Sequence, residues 1–177
     1  MSDFIEEVGG IAKELERLGL MPVLVGGMAL VILGSRRVTR DFDFVVSKPN
    51  DRLEPMVQTL YDKGLELASR LNKDGEIIAT IDNPKVAAIR LKLDAPSSAY
   101  FYNPKTGLRI DLLFDFPLPA AELSNGAHKT KIRSKVFRVA SEKDLVRLKK
   151  IAKSRRSEPG DAQDLAFLHG LAKKRRP

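Results

Sequence analysis

Val23-Leu24-Val25-Gly26-Gly27-Met28-Ala29-Leu30 and, after a basic loop, Asp41-Phe42-Asp43-Phe44-Val45-Val46 decide how this chain reads. The first stretch is a short apolar strand that breaks at two glycines and reopens as a helix. Free backbone N–H groups at such a helix start attract anions, and glycine lets a phosphate come close. The second stretch alternates acidic and aromatic residues with the two-residue period of a strand. Asp41 and Asp43 therefore project from one face, and Phe42 and Phe44 from the other. Adjacent carboxylates repel unless positive charge sits between them. A divalent cation supplies it, and magnesium takes a few carboxylate oxygens while leaving positions for water and phosphate. A third carboxylate on a neighbouring strand would complete a two-metal site. Asp111, in Arg109-Ile110-Asp111-Leu112-Leu113, has the right setting. A bare Asp-x-Asp is more often a solvated strand edge. The glycine turn before it and Asp111 after it turn the reading towards chemistry.

Outward from these stretches the pattern is α/β (α+β): a mixed central sheet flanked by helices. Residues 3–18 repeat Phe4, Val8, Ile11, Leu15 and Leu18 at helical spacing, with Ser2 as a cap and Gly19 as the stop. The Gly26-Gly27 helix ends at Gly34, and a helix through Leu53, Met56, Val57 and Leu60 ends at Gly64. Strands are expected at 76–81, 86–93, 100–102 and 108–114, then two short basic ones at 130–133 and 135–139. Ser141-Glu142-Lys143-Asp144 opens a helix running to about Ser154, and Pro159-Gly160-Asp161 opens the last one. The expected division is a domain over 1–140 and a helical extension over 141–177. Its closing Lys/Arg tail is expected to be disordered.

The chain has 177 residues, 43% of them hydrophobic, which is enough for one core. It has no cysteine, so thiolate metal sites and disulfides are excluded. No apolar run approaches the roughly 20 residues of a membrane span, and the acidic N-terminus lacks a signal-peptide layout. A soluble, cytoplasmic protein without membrane partners is expected. The formal net charge is +8, and the basic residues crowd the stretch from Lys129 to Arg156 and the end, Lys173-Lys174-Arg175-Arg176. Such a balance favours phosphate-bearing partners. His128 and His169 stand apart and lack partners at zinc spacing. There is no Gly-x-x-x-x-Gly-Lys-Ser/Thr loop and no Gly-x-Ser-x-Gly turn. Among Ser35, Arg36, Arg37 and Arg40, arginine could clamp phosphate, with Thr39 and Arg40 nearest the acidic strand. Asp115 reads as a strand-end residue.

Val25-Gly26-Gly27 with Asp41-Phe42-Asp43-Phe44 resembles the signature of the nucleotidyltransferase superfamily, the fold shared with DNA polymerase β. Arg37-Val38-Thr39-Arg40-Asp41-Phe42-Asp43 is similar to the Arg-x-Thr-x-Asp-x-Asp form of its small bacterial members. Leu148-Lys149, Arg156 and Asp161-Ala162-Gln163-Asp164-Leu165 look like the helical segment of AbiEii-type toxins. The resemblance implies transfer of a nucleoside monophosphate from an NTP to a hydroxyl. Asp41 and Asp43 would hold two Mg²⁺ ions (or Mn²⁺), and Asp111 the catalytic one. Gly26, Gly27, Thr39, Arg40 and Lys149 would bind the nucleotide. The acceptor would be RNA, tRNA above all, with a protein or small molecule as alternatives. The implied context is a toxin–antitoxin pair with an antitoxin protein as partner. Two other readings stay open: a silent nucleotide- or nucleic-acid-binding module, and a protein-binding partner in such a pair. For Arg156 and Asp161 a helix-packing salt bridge is the preferred reading.

Overall fold

The computed structural model describes residues 2–155 and 159–174. Arg156 and the end of the basic tail, 175–177, lie outside the described residues. One mixed sheet of eight strands carries the fold: β1 (Val23–Val25), β2 (Asp41–Val46), β3 (Glu66–Leu71), β4 (Ile77–Ile81), β5 (Ser98–Tyr102), β6 (Arg109–Phe114), β7 (His128–Ile132) and β8 (Lys135–Val139). Their order is β4-β3-β5-β6-β2-β1-β8-β7. The helices are α1 (Ser2–Arg17), α2 (Gly26–Ile32), α3 (Leu53–Asp62), α4 (Pro84–Asp94), α5 (Ala120–Gly126), α6 (Glu142–Arg155) and α7 (Pro159–Lys174).

The centre of the sheet shows why the acidic strand sits where it does. β2 pairs antiparallel with β1 and parallel with β6. Its alternation buries Phe42 and Phe44 beside their register partners Ile110, Leu112 and Leu24. Phe42, Phe44, Phe101 and Phe137 are essentially sealed from water, and Val8, Ile11 and Leu15 of α1 with Met56, Val57 and Leu60 of α3 join the same core. Each such side chain stabilises the fold by roughly 1.5–3 kcal/mol. The opposite face of β2 and β6 carries Asp41, Asp43, Arg109 and Asp111, followed by Val45 and Leu113.

Asp115 locks the far end of this strand pair. Its N–H donates to Val46 O, and its carboxylate accepts from the N–H groups of Lys48 (3.1 Å) and Ala120 (2.8 Å). It is a structural joint at the strand end.

The middle of the chain corrects one expectation. Residues 86–93 form α4, not a strand. Asn83 caps it by accepting from the N–H groups of Lys85 and Val86, and Pro84 sits at the first turn, where its fixed φ favours a helix. The buried face is Ala87, Ala88 and Leu91, and two small alanines hide the helical period. β3 and α5 were not anticipated. Ser141 caps α6 as expected, its Oγ accepting from Asp144 N at 3.1 Å.

Candidate active site

Register builds the acidic patch. On the parallel pair β2–β6, Asp43 lies directly beside Asp111, and Asp41 beside Arg109. All four share one face of the sheet, because side chains two apart on a strand point the same way. Val25, at the end of β1, is the partner of Asp43 on the other side. The next residue, Gly26, has φ +70°, and a Cβ there would lie 2.2 Å from Asp43 Oδ2. Only glycine satisfies both conditions. Gly27 is tight for a second reason: a Cβ would lie 3.3 Å from the Arg37 guanidinium carbon and 3.4 Å from Thr39 Cβ.

Three carboxylates and one guanidinium make this patch electrostatically unbalanced. Arg109 holds Asp111 through two contacts, Nε–Oδ1 at 2.8 Å and Nη2–Oδ2 at 3.2 Å. Its remaining arm donates to Gly75 O at 2.8 Å, and its guanidinium lies 5.0 Å from the centre of the Tyr100 ring. Burial, with Asp111 and Asp41 adding repulsion, pushes the Asp43 carboxyl up to about 8, against the pull of Arg109. Burial also raises Asp111, again against Arg109. A carboxyl that holds its proton near neutral pH marks a place where positive charge is wanted.

The donor set and its raised proton affinities fit a divalent cation. The side chains stand otherwise: among the described residues no group of three carboxylates or imidazoles is arranged to hold a metal ion. Asp111 is turned into Arg109 instead. Arg109 takes one acceptor site on each Asp111 oxygen and leaves the second lone pair of each.

A cavity of about 650 Å³ opens over this patch. Gly26, Gly27, Asp41, Asp43 and Asp111 line it, with the Asp74-Gly75-Glu76 turn at one side. Leu145, Leu148, Ile151 and Ala152 of α6 form an apolar wall. Arg155, also lining the cavity, stacks on Phe116 at 5.0 Å.

Lys149 lines the cavity as well, but its ammonium donates to Asp161 Oδ1 (3.2 Å) and contacts Asp164 Oδ2 (2.8 Å). Arg37 binds Asp164 too. Both aspartates are buried, at 2% exposure each. Asp161 is therefore a helix-packing partner of Lys149. The structure places Thr39 against Gly27, partly buried, and Arg40 exposed and away from the cavity lining. From the basic loop it is Arg37 that reaches the cavity. Arg109 and Tyr100 had no role assigned from sequence. The signal was present for Arg109, which stands two residues before Asp111 and so shares its face.

No family model matches the chain, and no curated protein matches it in sequence. Solved structures do match in shape. An antigenic nucleotidyltransferase-like protein of Paracoccidioides brasiliensis superposes with a TM-score of 0.60 at 14% identity, over 94% of this chain and 75% of its own. The lincosamide antibiotic adenylyltransferase LnuA, solved with lincomycin bound, gives 0.56 at 14% identity, over 93% and 96%. A Thermotoga maritima protein described as a nucleotidyltransferase gives 0.53 at 8% identity, over 98% and 94%. The chain has the nucleotidyltransferase fold.

Proposed function

We propose that this protein transfers a nucleoside monophosphate from an NTP to a hydroxyl, using Asp41, Asp43 and Asp111 as the ligands of divalent magnesium. The observation that carries the reading is the pairing of Asp43 with Asp111 beside Gly26, at the floor of a cavity large enough for a nucleotide. The triphosphate would lie along Gly26 and Gly27, where absent side chains leave the backbone bare. Arg37 and Lys149 border the same cavity and offer cationic hydrogen-bond donors. The apolar face of α6 and the Phe116–Arg155 stack suit a base. Thr39, against Gly27, stays in the proposal as a nucleotide-binding residue, whereas Arg40 lies outside the cavity lining.

The acceptor oxygen forms a bond to the α-phosphorus while the bond to the β-phosphate oxygen breaks, and pyrophosphate leaves. In this proposal Asp111 would favour loss of the acceptor proton. Bound magnesium would neutralise the triphosphate and acidify the acceptor hydroxyl. Asp41 and Asp43 would hold that ion, whose positive charge offsets their repulsion of the phosphate. RNA, tRNA first, is the acceptor we favour, because the formal net charge is +8 and the basic residues are clustered. The AbiEii-like reading adds a toxin role, with an antitoxin as partner. A small-molecule acceptor is the second reading, since the neighbour solved with lincomycin has a fold of nearly the same extent. No helix among the described residues is long and apolar enough to cross a membrane.

The test is incorporation of each labelled NTP, in magnesium, into total RNA, protein or a small-molecule panel, with Asp43→Ala as control. Label transfer and pyrophosphate release by the wild type alone support the reading. Neither product with any acceptor overturns it.

A further inference from the structure

We infer that the β7–β8 ribbon, together with α1, grips the sugar–phosphate backbone of an RNA acceptor outside the cavity. This rests on the RNA reading above and extends it to a second surface.

Register places the ribbon on the working side of the sheet. Leu24 is the partner of Val139, and both point into the core. Arg138, one residue earlier, therefore faces the side that carries Asp43. Its partner across the hairpin is Lys129, and Lys131 lies opposite Val136, so this face presents Lys129, Lys131 and Arg138 with an exposed Val136. Lys129 and Lys131 stand about 7 Å apart along the strand. β7 is the sheet edge, so both lysines are exposed.

A groove of about 410 Å³ runs between the ribbon and α1. Lys129 and Arg138 line it from the working face, Lys13 from α1 and Lys135 from the opposite face of the ribbon, against one acid, Glu16, already bound to Arg138 at 3.1 Å. Among the described residues Lys13, Lys129 and Lys131 have no ion-pair partner within 4.0 Å. The cavity cations differ: Lys149 and Arg37 are already matched by Asp161 and Asp164.

The ribbon is also held still. Glu6 of α1 accepts from the Ser134 N–H (3.2 Å) and hydroxyl (2.5 Å) at the hairpin turn. Gly9 lets α1 approach so closely that a Cβ there would lie 2.5 Å from Lys135 Cβ. A held frame spares the backbone part of the ordering cost when its lysines bind phosphate. Three strand spacings, about 14 Å, separate β7 from β2. A few nucleotides bridge that gap, so a strand held on the ribbon can present its end at Asp43.

The test needs neither NTP nor metal. Binding of a fluorescein-labelled tRNA transcript is followed by anisotropy between 50 and 200 mM salt. Lys129→Ala with Lys131→Ala should weaken binding about tenfold and lower the salt slope by roughly 1.5 to 2. Lys85→Ala with Lys92→Ala, the same charge loss on α4, should leave both nearly unchanged. Equal loss in both double variants overturns the inference, as does absence of tRNA binding by the wild type. Ribbon-dependent binding without nucleotide transfer upholds the ribbon and sinks the RNA-acceptor reading instead.

Discussion

Two clusters built from the same charged groups sit a short way apart, and they are finished differently. At the back, Lys149 and Arg37 meet Asp161 and Asp164, two cations against two anions, largely out of water. At the front, Asp41, Asp43 and Asp111 meet a single Arg109. The rear cluster is balanced by the chain itself and ties α6 and α7 to the loop before β2. The front cluster is left one-sided, and Asp43 answers by holding a proton up to about pH 8. Balanced charge reads as architecture. Unbalanced charge, kept on a rigid strand pair, is what motivates the proposed cation site.

The largest effect should come from breaking the front cluster. Asp43→Asn is expected to cut nucleotide transfer by at least ~1000-fold, about 4 kcal/mol of transition-state stabilisation. A rate within tenfold of wild type would remove Asp43 from the chemistry. The rear cluster should fail in the other direction. Asp164→Ala takes the carboxylate partner from Arg37 and leaves Lys149 with Asp161 alone, and a loss of about 3 kcal/mol is expected in urea unfolding. An unchanged midpoint would show that the rear cluster is not what holds α7.

Gly26→Ala tests the seam between the two readings. Its φ of +70° and the 2.2 Å approach to Asp43 predict about 2 kcal/mol lost, together with most of the activity. Activity retained at full stability would mean the strand–helix turn yields more than the geometry allows.

The smallest expected effect is one of pH. The Asp43 carboxyl is raised on folding, so its contribution is fully present below the unfolded value near 4 and is lost as pH rises through about 8. Without metal, the wild type should lose Tm across that window. Asp43→Asn should flatten the loss, by about 1 kcal/mol at pH 8.5, because solvent at the cavity mouth screens the repulsion. Added magnesium should raise the wild-type Tm more at pH 8.5 than at pH 5.5, and should do little for Asp43→Asn. Parallel melting curves for the two proteins at every pH would dissolve the contrast between the clusters.

The front cluster was more legible in sequence than the rear. Strand period alone puts Asp41 with Asp43, and a central strand announces itself through Phe42, Phe44, Val45 and Val46. The step from Asp111 as a candidate to Asp111 beside Asp43 needed the sheet, because the pairing joins distant parts of the chain. Arg109 was missed although the rule that joined Asp41 to Asp43 applied to it. The stretch 86–93 failed for a different reason. Its buried face is Ala87, Ala88 and Leu91, while three of its four large apolar residues, Val86, Ile89 and Leu93, are exposed. β3 hid behind Glu66, Ser69 and Arg70 and a break in its register with β4. The rear cluster joins three elements whose charges, read in line, look like solvated helix faces.

The parallel register of β2 against β6 also sets when the site can exist. The whole run from α3 to β5 lies between Asp43 and Asp111 in the chain, yet the two are neighbours in the sheet. Such long-range pairing closes late and slowly compared with local helix formation. A nascent or partly unfolded chain therefore has the Asp41–Asp43 pair without Asp111 beside it. If the proposed cation site is correct, it can form only when the central strands have zipped, and ion affinity would then report completed folding.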